Sequence, residues 1–541
     1  MENLVKIVCT VLVLSTLVIP TTALHSVSNS TESIASFAHS SFTVPFVNDY
    51  DPLDEQIIVT VTIQEIRALG TIDLLSDPDF YIKVSINNNT FKSPIWRGMK
   101  YVEEPNWSAS CVVPKDKEFV NIVIELWDKE ALGPGQLCDI SPESYGLQPK
   151  QSRTAELTYS IATGLWSGDD STLWDLSGYG RLNGCDDNSI NTNDRDAEVF
   201  FTISQNDFDN DGIPYWIETN IYNTSPLIDN RGEDADGDGV PIEWEYRFGM
   251  FYFPWHDDED DDDESQYYLI YDPNKPEDHA TLDPDNDGLT NWEEYKTWQW
   301  GSDPSRKDIF VEIDQMELGP NGEGAYVPTQ AYDLIRDAHA RQNIVWHIDD
   351  GRLGGGEIIP FKGVLEDNDT SNWYWNYFMH GDAKNWRRGV FRWCIISYNY
   401  SWAKGFTFPS IINGSFAIDC FFLSTKYHEM RAKIFPIIDG LHRGTFNREM
   451  NRAYVYAGVI MHESGHTLHL HYRGVDAHKT IWIWQINYWR FANYKSCMNY
   501  RYVYRGIVDY SDGSHGRNDY NDWAHIDLTF FNPRALDQSF S

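Results

Sequence analysis

The chain has 541 residues, of which 82 are acidic and 42 basic, and its formal net charge is −40 at pH 7. This charge excludes a basic nucleic-acid-binding protein, so no nucleic acid is expected as a partner. At roughly 100–200 residues per domain the length predicts about three domains, and a hydrophobic content of 41% excludes global disorder.

The acidic excess is concentrated in one segment. Residues 206–308 contain 29 acidic and 6 basic residues, whereas residues 309–541 contain 25 and 23. A halophilic surface would spread its acidic residues over every domain. The distribution therefore indicates a local cause, such as cation binding.

The N-terminus has the pattern of a secretory signal. Lys6 precedes an apolar run over residues 7–19, and small residues follow up to Ala23. We expect residues 1–23 to be a signal peptide, residues 24–55 a flexible leader, and the product to be secreted. The alternative is an uncleaved anchor, although the run is too short to span a bilayer comfortably.

Six cysteines remain after the signal, and an even number in an exported chain permits three disulfides. Pairing within each half of the chain is favoured. Asn-x-Ser/Thr sequons that fit a glycoprotein begin at Asn29, Asn88, Asn106, Asn223, Asn368, Asn399 and Asn413.

Residues 56–205 read as a β-sandwich. β-Branched runs occupy residues 57–63, 80–86 and 120–126, and turn residues separate them. Acidic residues cluster at the ends of these predicted strands.

Two segments of this region resemble the synaptotagmin-type calcium-dependent lipid-binding module. They are residues 76–84 (SDPDFYIKV) and the sequence LWDKE at 126–130, which is followed by Cys138-Asp139. The resemblance implies calcium at one end of the sandwich and contact with membrane lipid. The alternative is a sandwich with acidic loops and no ion. The implied ligands are Asp73, Asp79, Asp128, Glu130 and Asp139, the family usually having Asp where Glu130 stands.

Three twelve-residue loops in residues 206–306 fit D-x-D-x-D-G with Glu at the twelfth position. Carboxylates at positions 1, 3, 5 and 12 converge on Ca²⁺ because Gly at position 6 permits a sharp turn. The segment resembles the calcium loops of thrombospondin type 3 repeats and dockerins, with short helices, whereas the acidic run 257–264 is interpreted as a solvated loop. The ligands are Asp207, Asp209, Asp211 and Glu218 in the first loop, Asp234, Asp236, Asp238 and Glu245 in the second, and Asp283, Asp285, Asp287 and Glu294 in the third.

Residues 307–541 predict a mixed domain of strands and helices. Strands are expected at residues 308–314, 343–349 and 389–397, with an amphipathic helix at residues 328–341. An apolar run then leads into the sequence His462-Glu463-Ser464-Gly465-His466.

This HExxH sequence predicts a zinc site on a helix. His462 and His466 share one face and can reach one Zn²⁺, while Glu463 can take a proton from the zinc-activated water. The alternative is a pair of ordinary surface histidines.

The sequence Ser496-Cys497-Met498-Asn499-Tyr500 resembles the Met-turn of the metzincin zinc proteases. The resemblance covers about residues 307–541 and implies an α+β metzincin-like domain. It further implies an apolar floor below the metal, a substrate-pairing edge strand at residues 389–400, and assistance to the transition state from Tyr500.

The sequence departs from that family at the third zinc ligand. His469 stands at the usual Gly position and Tyr472 at the ligand position. Because positive φ costs His more than Gly, we expect the helix to continue for about one more turn and to break at Gly474. Asp476 is then the predicted third ligand, with His471, His469 and His478 as alternatives.

Together these features predict a multidomain, secreted, calcium-stabilised zinc endopeptidase that acts on protein or peptide substrates. The alternative is a non-catalytic, calcium-dependent binding or adhesion protein with a degenerate protease-like domain.

Overall fold

The computed structural model describes residues 40–73, 76–130, 133–141, 153–170, 180–185, 195–252, 266–401, 403–413, 415–434, 448–470 and 482–533. The predicted signal peptide and the acidic run 257–264 lie outside these residues. Within them the chain forms four β-sheets and several helices, arranged as an N-terminal sandwich, a loop-rich middle segment and a C-terminal mixed domain.

The N-terminal sandwich consists of two antiparallel sheets that enclose one apolar core. One sheet has the order β10-β9-β7-β3-β4, with β8 paired to β7, and the other has the order β11-β12-β2-β5, with β6 paired to β2. The described strands up to residue 205 are β1 (Ser40–Thr43), β2 (Ile57–Ala68), β3 (Phe80–Ile86), β4 (Asn89–Lys92), β5 (Tyr101–Val102), β6 (Trp107–Val113), β7 (Phe119–Asp128), β8 (Gln136–Leu137), β9 (Ala155–Ser160), β10 (Trp166–Gly168), β11 (Arg181–Asn183) and β12 (Ala197–Gln205).

Alternating burial produces the sandwich. In β2 the side chains of Ile57, Val59, Val61 and Ile63 are buried, and the intervening residues are exposed or half-buried. This period of two places one face of each sheet in the core.

The last part of the predicted leader is structured. Ser40–Thr43 pairs with Gln266–Leu269 from the middle segment, and Val44 and Tyr50 are buried in the sandwich core. The prediction of a flexible leader through residue 55 is therefore wrong for residues 40–55. Apolar burial and strand pairing hold this segment, although its composition is polar.

The middle segment contains short helices, each reached at the end of a twelve-residue loop. A π-helical turn at Glu218–Tyr222 continues the first of them. The elements are α1 (Tyr215–Ile217), α2 (Ile242–Gly249), β13 (Met250–Tyr252), β14 (Gln266–Leu269) and α3 (Asn291–Thr297).

The C-terminal domain is a mixed sheet with helices. Its order is β16-β15-β18-β20-β19, with β17 paired to β15; all neighbours are parallel except β19 and β20. Its elements are β15 (Asp308–Met316), α4 (Thr329–Ala340), β16 (Val345–Asp349), β17 (Ile358–Ile359), α5 (Asp367–Trp373), β18 (Phe391–Ser397), β19 (Gly405–Ile412), β20 (Ser415–Ser424), α6 (Thr425–Ile434), α7 (Arg448–Thr467) and α8 (Ile486–Arg490).

The predicted disulfides are absent, because all six described cysteines are thiols. Cys394 and Cys420 show the reason. Their strands are neighbours, but Cys394 is paired in register with Phe421 rather than with Cys420. The two side chains therefore enter different cores on opposite faces of the sheet.

Polar contacts join the sandwich to the C-terminal domain. Arg67 lies 3.1 Å from the Asp337 carboxylate and 3.6 Å from that of Asp333, and the Tyr101 hydroxyl donates to Asp337 at 2.6 Å.

No helix in the described ranges combines the length and apolar composition needed to cross a membrane.

Candidate metal centres

The HExxH sequence lies near the end of the long helix Arg448–Thr467. His462 and Glu463 are buried, with exposed fractions of 2% and 6%. One ligand atom from each of His462, Glu463 and His466 lies within 4.8 Å of the others. The helix thus brings together the three residues that the sequence singled out.

Backbone carbonyls orient both histidines. Nδ1 of His462 is 2.8 Å from the Cys497 carbonyl oxygen, and Nδ1 of His466 is 2.9 Å from that of Leu470. Each Nδ1 therefore carries the donated proton, so Nε2 is the ring nitrogen that could ligate a metal.

The environment of His462 fits a metal ligand. Its Nε2 is buried and has no hydrogen-bond partner. Burial lowers the pKa of His462 to about 4, so the ring is neutral at pH 7, as ligation requires.

The predicted Met-turn lies directly below this helix. A Cβ atom on Gly465 would be 2.6 Å from Met498 Sδ. The Tyr500 ring centroid is 5.0 Å from that of His462. Residues 496–500 thus supply a carbonyl acceptor, an apolar floor and an aromatic neighbour to the histidine pair.

The helix ends about two turns earlier than predicted. It stops at Thr467 rather than at Gly474, and His469 adopts a left-handed φ of 61°. The Leu470 N–H donates to the Gly465 carbonyl at 2.9 Å, which closes a Schellman-type helix end. The His469 ring stacks on Phe530 at a centroid distance of 4.2 Å, a contact that helps to hold this conformation.

Among the candidates for the predicted third zinc ligand, only His469 lies within the described residues. His469 Nδ1 faces the Asp527 carboxylate at 3.9 Å. Asp476, His471, His478 and Tyr472 lie outside the described residues. Asp476 therefore remains a prediction.

The edge strand beside the helix is not the predicted one. Phe391–Ser397 is wholly buried in the middle of the sheet, between β15 and β20. The chain reverses at Asn413, which has a φ of 52°, and Gly405–Ile412 becomes the antiparallel edge instead. A continuous apolar strand suits a position covered on both faces, whereas an edge strand tolerates polar residues.

This edge strand contacts the predicted general base. The Thr407 hydroxyl donates to the main-chain carbonyl of Glu463 at 2.6 Å. A Cβ atom on Gly405 would be 2.5 Å from Glu463 Oε1. Burial raises the pKa of Glu463 to about 8.

The three predicted calcium loops share one conformation. Position 4 is left-handed in each (Asn210, Gly237 and Asn286), and so is the Gly at position 6. The N–H of that Gly donates to the first Asp at 3.0–3.1 Å in all three loops. The next N–H donates to the fifth-position Asp at 2.8–3.1 Å.

Ligand atoms of the first loop converge as predicted from its spacing. Those of Asp207, Asp209, Asp211 and Glu218 lie within 4.8 Å of one another. One carboxylate oxygen of Glu218 is buried without a hydrogen-bond partner. Burial, with the neighbouring carboxylates as a further cause, raises the pKa of Glu218 to about 8.

The third loop is the most deeply buried. Asp287 and Glu294 are each 1% exposed. Burial and the neighbouring carboxylates raise the pKa values of Asp285, Asp287 and Glu294 well above their usual range. A bound cation would relieve this repulsion.

Only part of the predicted sandwich site is assembled. Asp73, Asp128 and Glu130 lie together, with ligand atoms within 4.8 Å. Asp79 instead accepts the Gly98 N–H at 2.8 Å and pairs with Arg97 at 3.2 Å. Asp139 accepts the Ser141 N–H at 3.2 Å and pairs with Arg153 at 3.8 Å.

Sequence reasoning missed two residues at the second loop. Glu277 and His279 join Asp238 and Glu245 in one group of ligand atoms. They precede the third loop and belong to no loop motif. The only sequence feature that could have indicated them is a histidine next to two acidic residues, Glu277-Asp278-His279.

No protein-family profile matches this chain, and no curated protein does. Among solved structures, the chain is similar to a structure described as a C2 domain, with 11% identity over 28% of this chain and 97% of that one and a TM-score of 0.17. It is also similar to a C2 domain of plant extended synaptotagmin 1, with 13% identity over 27% and 92% of the two chains and a TM-score of 0.16.

A further similarity is to human GIVD cytosolic phospholipase A2, at 13% identity and a TM-score of 0.17. It covers 30% of this chain and only 18% of the phospholipase chain. These TM-scores are low. The N-terminal sandwich is therefore defined by the pairing of its own strands.

Proposed function

We propose that the chain is a secreted, calcium-stabilised zinc endopeptidase. The observation that carries this proposal is the pair of histidines on one helix turn, of which His462 is buried and His466 half-buried. Both Nδ1 atoms are tied to backbone carbonyls, and Glu463 lies beside them. Metal-binding histidines typically have one ring nitrogen bonded to a carbonyl in this way, whereas ordinary surface histidines do not require it.

The residues fit a catalytic zinc ion at His462 and His466. Zn²⁺ bound there supplies Lewis-acid polarisation of the scissile carbonyl and lowers the pKa of water. Glu463 is placed to accept the proton of the attacking water and later to pass it to the leaving amine. A cation held by the two histidines would favour the ionised form of Glu463, which is the form that accepts a proton.

The edge strand Gly405–Ile412 provides a place for substrate. Among the described strands it pairs only with β20, so its other edge can hydrogen-bond to an extended peptide. Gly405 brings that edge close to the Glu463 carboxylate. A peptide paired there would present its backbone carbonyl to the histidine centre, and Tyr500 could donate to the oxygen that gains charge.

Calcium stabilises the middle segment in this proposal. The first and third loops offer four carboxylates each, which suits a hard cation that takes six to eight oxygens. Asp287 also links the third loop to the catalytic domain, because it accepts the Asp308 N–H at 2.7 Å at the start of β15. Calcium at this loop would stabilise the end of the catalytic sheet.

Replacing Glu463 with Gln tests the proposed endopeptidase activity. We expect cleavage of a casein substrate to fall by at least about 100-fold, because the proton acceptor is lost while the shape is kept. Glu449→Gln, on the same helix at an exposed position, is the matched control. Equal activity of Glu463→Gln, or a zinc-free wild-type chain that still cleaves casein, would disprove the proposal.

A second candidate function is calcium-dependent contact with anionic lipid. The group of Asp73, Asp128 and Glu130 at the end of the sandwich favours it. We expect sedimentation with phosphatidylserine vesicles in calcium but not in a chelator. Asp128→Asn should weaken it, and absence of sedimentation of the wild type excludes this function.

A further inference from the structure

The second calcium loop differs from the others because a nitrogen ligand faces it. Ligand atoms of Asp238, Glu245, Glu277 and His279 lie within 4.8 Å of one another. Asp238 and Glu245 are positions 5 and 12 of the loop, whereas Glu277 and His279 come from the segment that follows β14. The four residues therefore meet only in the folded chain.

His279 is aimed into this group and has no hydrogen bond at the atom concerned. The residue is 0% exposed. Its Nε2 lies 3.1 Å from Asp238 Oδ2 and 3.8 Å from Glu277 Oε2, yet it has no partner of hydrogen-bond geometry. Glu245 Oε1 is buried without a partner as well. An imidazole nitrogen and a carboxylate oxygen thus face the centre of the group unsatisfied.

The second ring nitrogen of His279, Nδ1, lies beside Asn291. Their contact shows how Nε2 can become available to a metal. His279 Nδ1 lies 3.0 Å from the amide nitrogen of Asn291, while Asn291 Oδ1 is buried without a partner. Amide orientation is assigned from the hydrogen-bond network. Turning this amide over lets Oδ1 accept the Nδ1 proton, and the Nε2 lone pair is then free for a metal.

The ring is held in this orientation by its neighbours. Tyr271 and Trp244 pack against it in edge-on contacts at centroid distances of 4.9 and 5.6 Å. Both aromatic residues are buried. The nitrogen is therefore positioned before any ion arrives.

In the other two loops the place of Glu277 is taken by a different residue. The N–H that donates to the second oxygen of the fifth-position Asp belongs to Asn230 in the first loop, to Glu277 in the second and to Asp308 in the third. The first-loop group contains only carboxylates. Oxygen ligands alone suit Ca²⁺, whereas imidazole with carboxylates suits a first-row transition ion.

We propose that the second loop binds Zn²⁺ rather than Ca²⁺, through carboxylate oxygens of Asp238, Glu245 and Glu277 and Nε2 of His279. This zinc site is separate from the HExxH helix. It is independent of peptidase activity, since its ligands lie in the middle segment.

Counting bound zinc tests this site. In excess Ca²⁺ we expect two zinc ions per wild-type chain by mass spectrometry, one per chain in His279→Gln and one in His462→Gln. The proposed catalytic centre fails if His462→Gln leaves the number unchanged. The second-loop site fails if His279→Gln leaves it unchanged or if Ca²⁺ displaces the ion. Asn230→Ala, at the matching position of the first loop, should retain both zinc ions.

A second measurement does not depend on how well His279→Gln folds. The His462→Gln/His466→Gln chain is loaded with Mn²⁺ as a paramagnetic probe and measured by pulsed electron paramagnetic resonance. We expect ¹⁴N coupling from one directly bound imidazole. With excess Ca²⁺ present to fill the first and third loops, bound Mn²⁺ without nitrogen coupling overturns the proposal. In the wild type, Asn291→Ala should weaken zinc binding at this site by about 10-fold or more, because the ring loses its orienting partner.

Discussion

Two glycines determine how closely the chain approaches the candidate catalytic residues. Gly405 allows the edge strand to pass Glu463, and Gly465 allows the helix to rest on Met498. Neither glycine has a left-handed φ. Their role is therefore space rather than backbone freedom.

Replacing Gly465 with Ala should destabilise the C-terminal domain. The new methyl would lie 2.6 Å from Met498 Sδ and 3.1 Å from the Tyr510 hydroxyl oxygen. Overpacking of this kind costs about 1–3 kcal/mol in the free energy of unfolding. Urea unfolding measures the loss. Gly363→Ala, where a Cβ has open space, is the control, and equal stability of the two variants contradicts the prediction.

At the scale of elements, each of the three predicted metal-binding loops holds carboxylates that repel one another, and a bound cation would relieve that repulsion. Each has a fixed turn conformation before any ion binds, because the loop N–H groups already bond to the Asp side chains. What the loops lack is positive charge. Calcium binding and protonation therefore compete for the same carboxylates.

This competition predicts an unusual pH dependence for the ion-free protein. The pKa of Glu218 is raised to about 8, from an ordinary value near 4.5. A raised carboxyl pKa means that the folded chain keeps a proton that the unfolded chain releases. The Glu218 contribution to stability is thus fully present below pH 4.5 and is lost as the pH rises towards 8.

Urea unfolding of the wild type and of Glu218→Gln in a calcium chelator isolates this effect. The difference in unfolding free energy should grow in favour of the Gln variant between pH 5 and pH 8. Saturating Ca²⁺ should reverse its sign at pH 8, because the ion prefers the charged ligand. A difference that does not change with pH contradicts the assignment.

At the scale of the whole molecule, a buried arginine joins the sandwich to the C-terminal domain. Arg67 is 2% exposed and lies between Glu65 and the carboxylates of Asp333 and Asp337. Asn183 of β11 also donates to the Ala340 carbonyl at 2.8 Å, at the end of the same helix. The helix Thr329–Ala340 is thereby held on the sandwich.

Replacing Arg67 with Ala should uncouple the two domains. Removal of one partner from a buried ion pair costs about 3–5 kcal/mol, because the remaining carboxylates stay buried. Calorimetry should show a lower melting temperature and a separate transition for one domain. Arg231→Ala removes an exposed pair with Asp229 and should leave the melting temperature nearly unchanged. Similar effects of the two changes contradict this role for Arg67.

Local patterns predicted much of this architecture. The strand at residues 80–86 and the helix at residues 328–341 agree closely with Phe80–Ile86 and Thr329–Ala340, because alternation and amphipathicity are properties of a few neighbouring residues. The edge-strand prediction was wrong because the position of a strand in its sheet is not a local property. Which strand lies at an edge depends on pairing between distant segments, and Asn413 reverses the chain to place Gly405–Ile412 there.

The sequence by itself determined the loops and the histidine pair, since Gly at position 6 and the i, i+4 spacing act within a single turn. The tertiary structure decided the rest. It ended the helix at Thr467 by packing His469 on Phe530, kept Cys394 and Cys420 apart on opposite faces of a sheet, and brought His279 to Asp238. These outcomes depend on contacts between residues far apart in the chain, which local spacing does not encode.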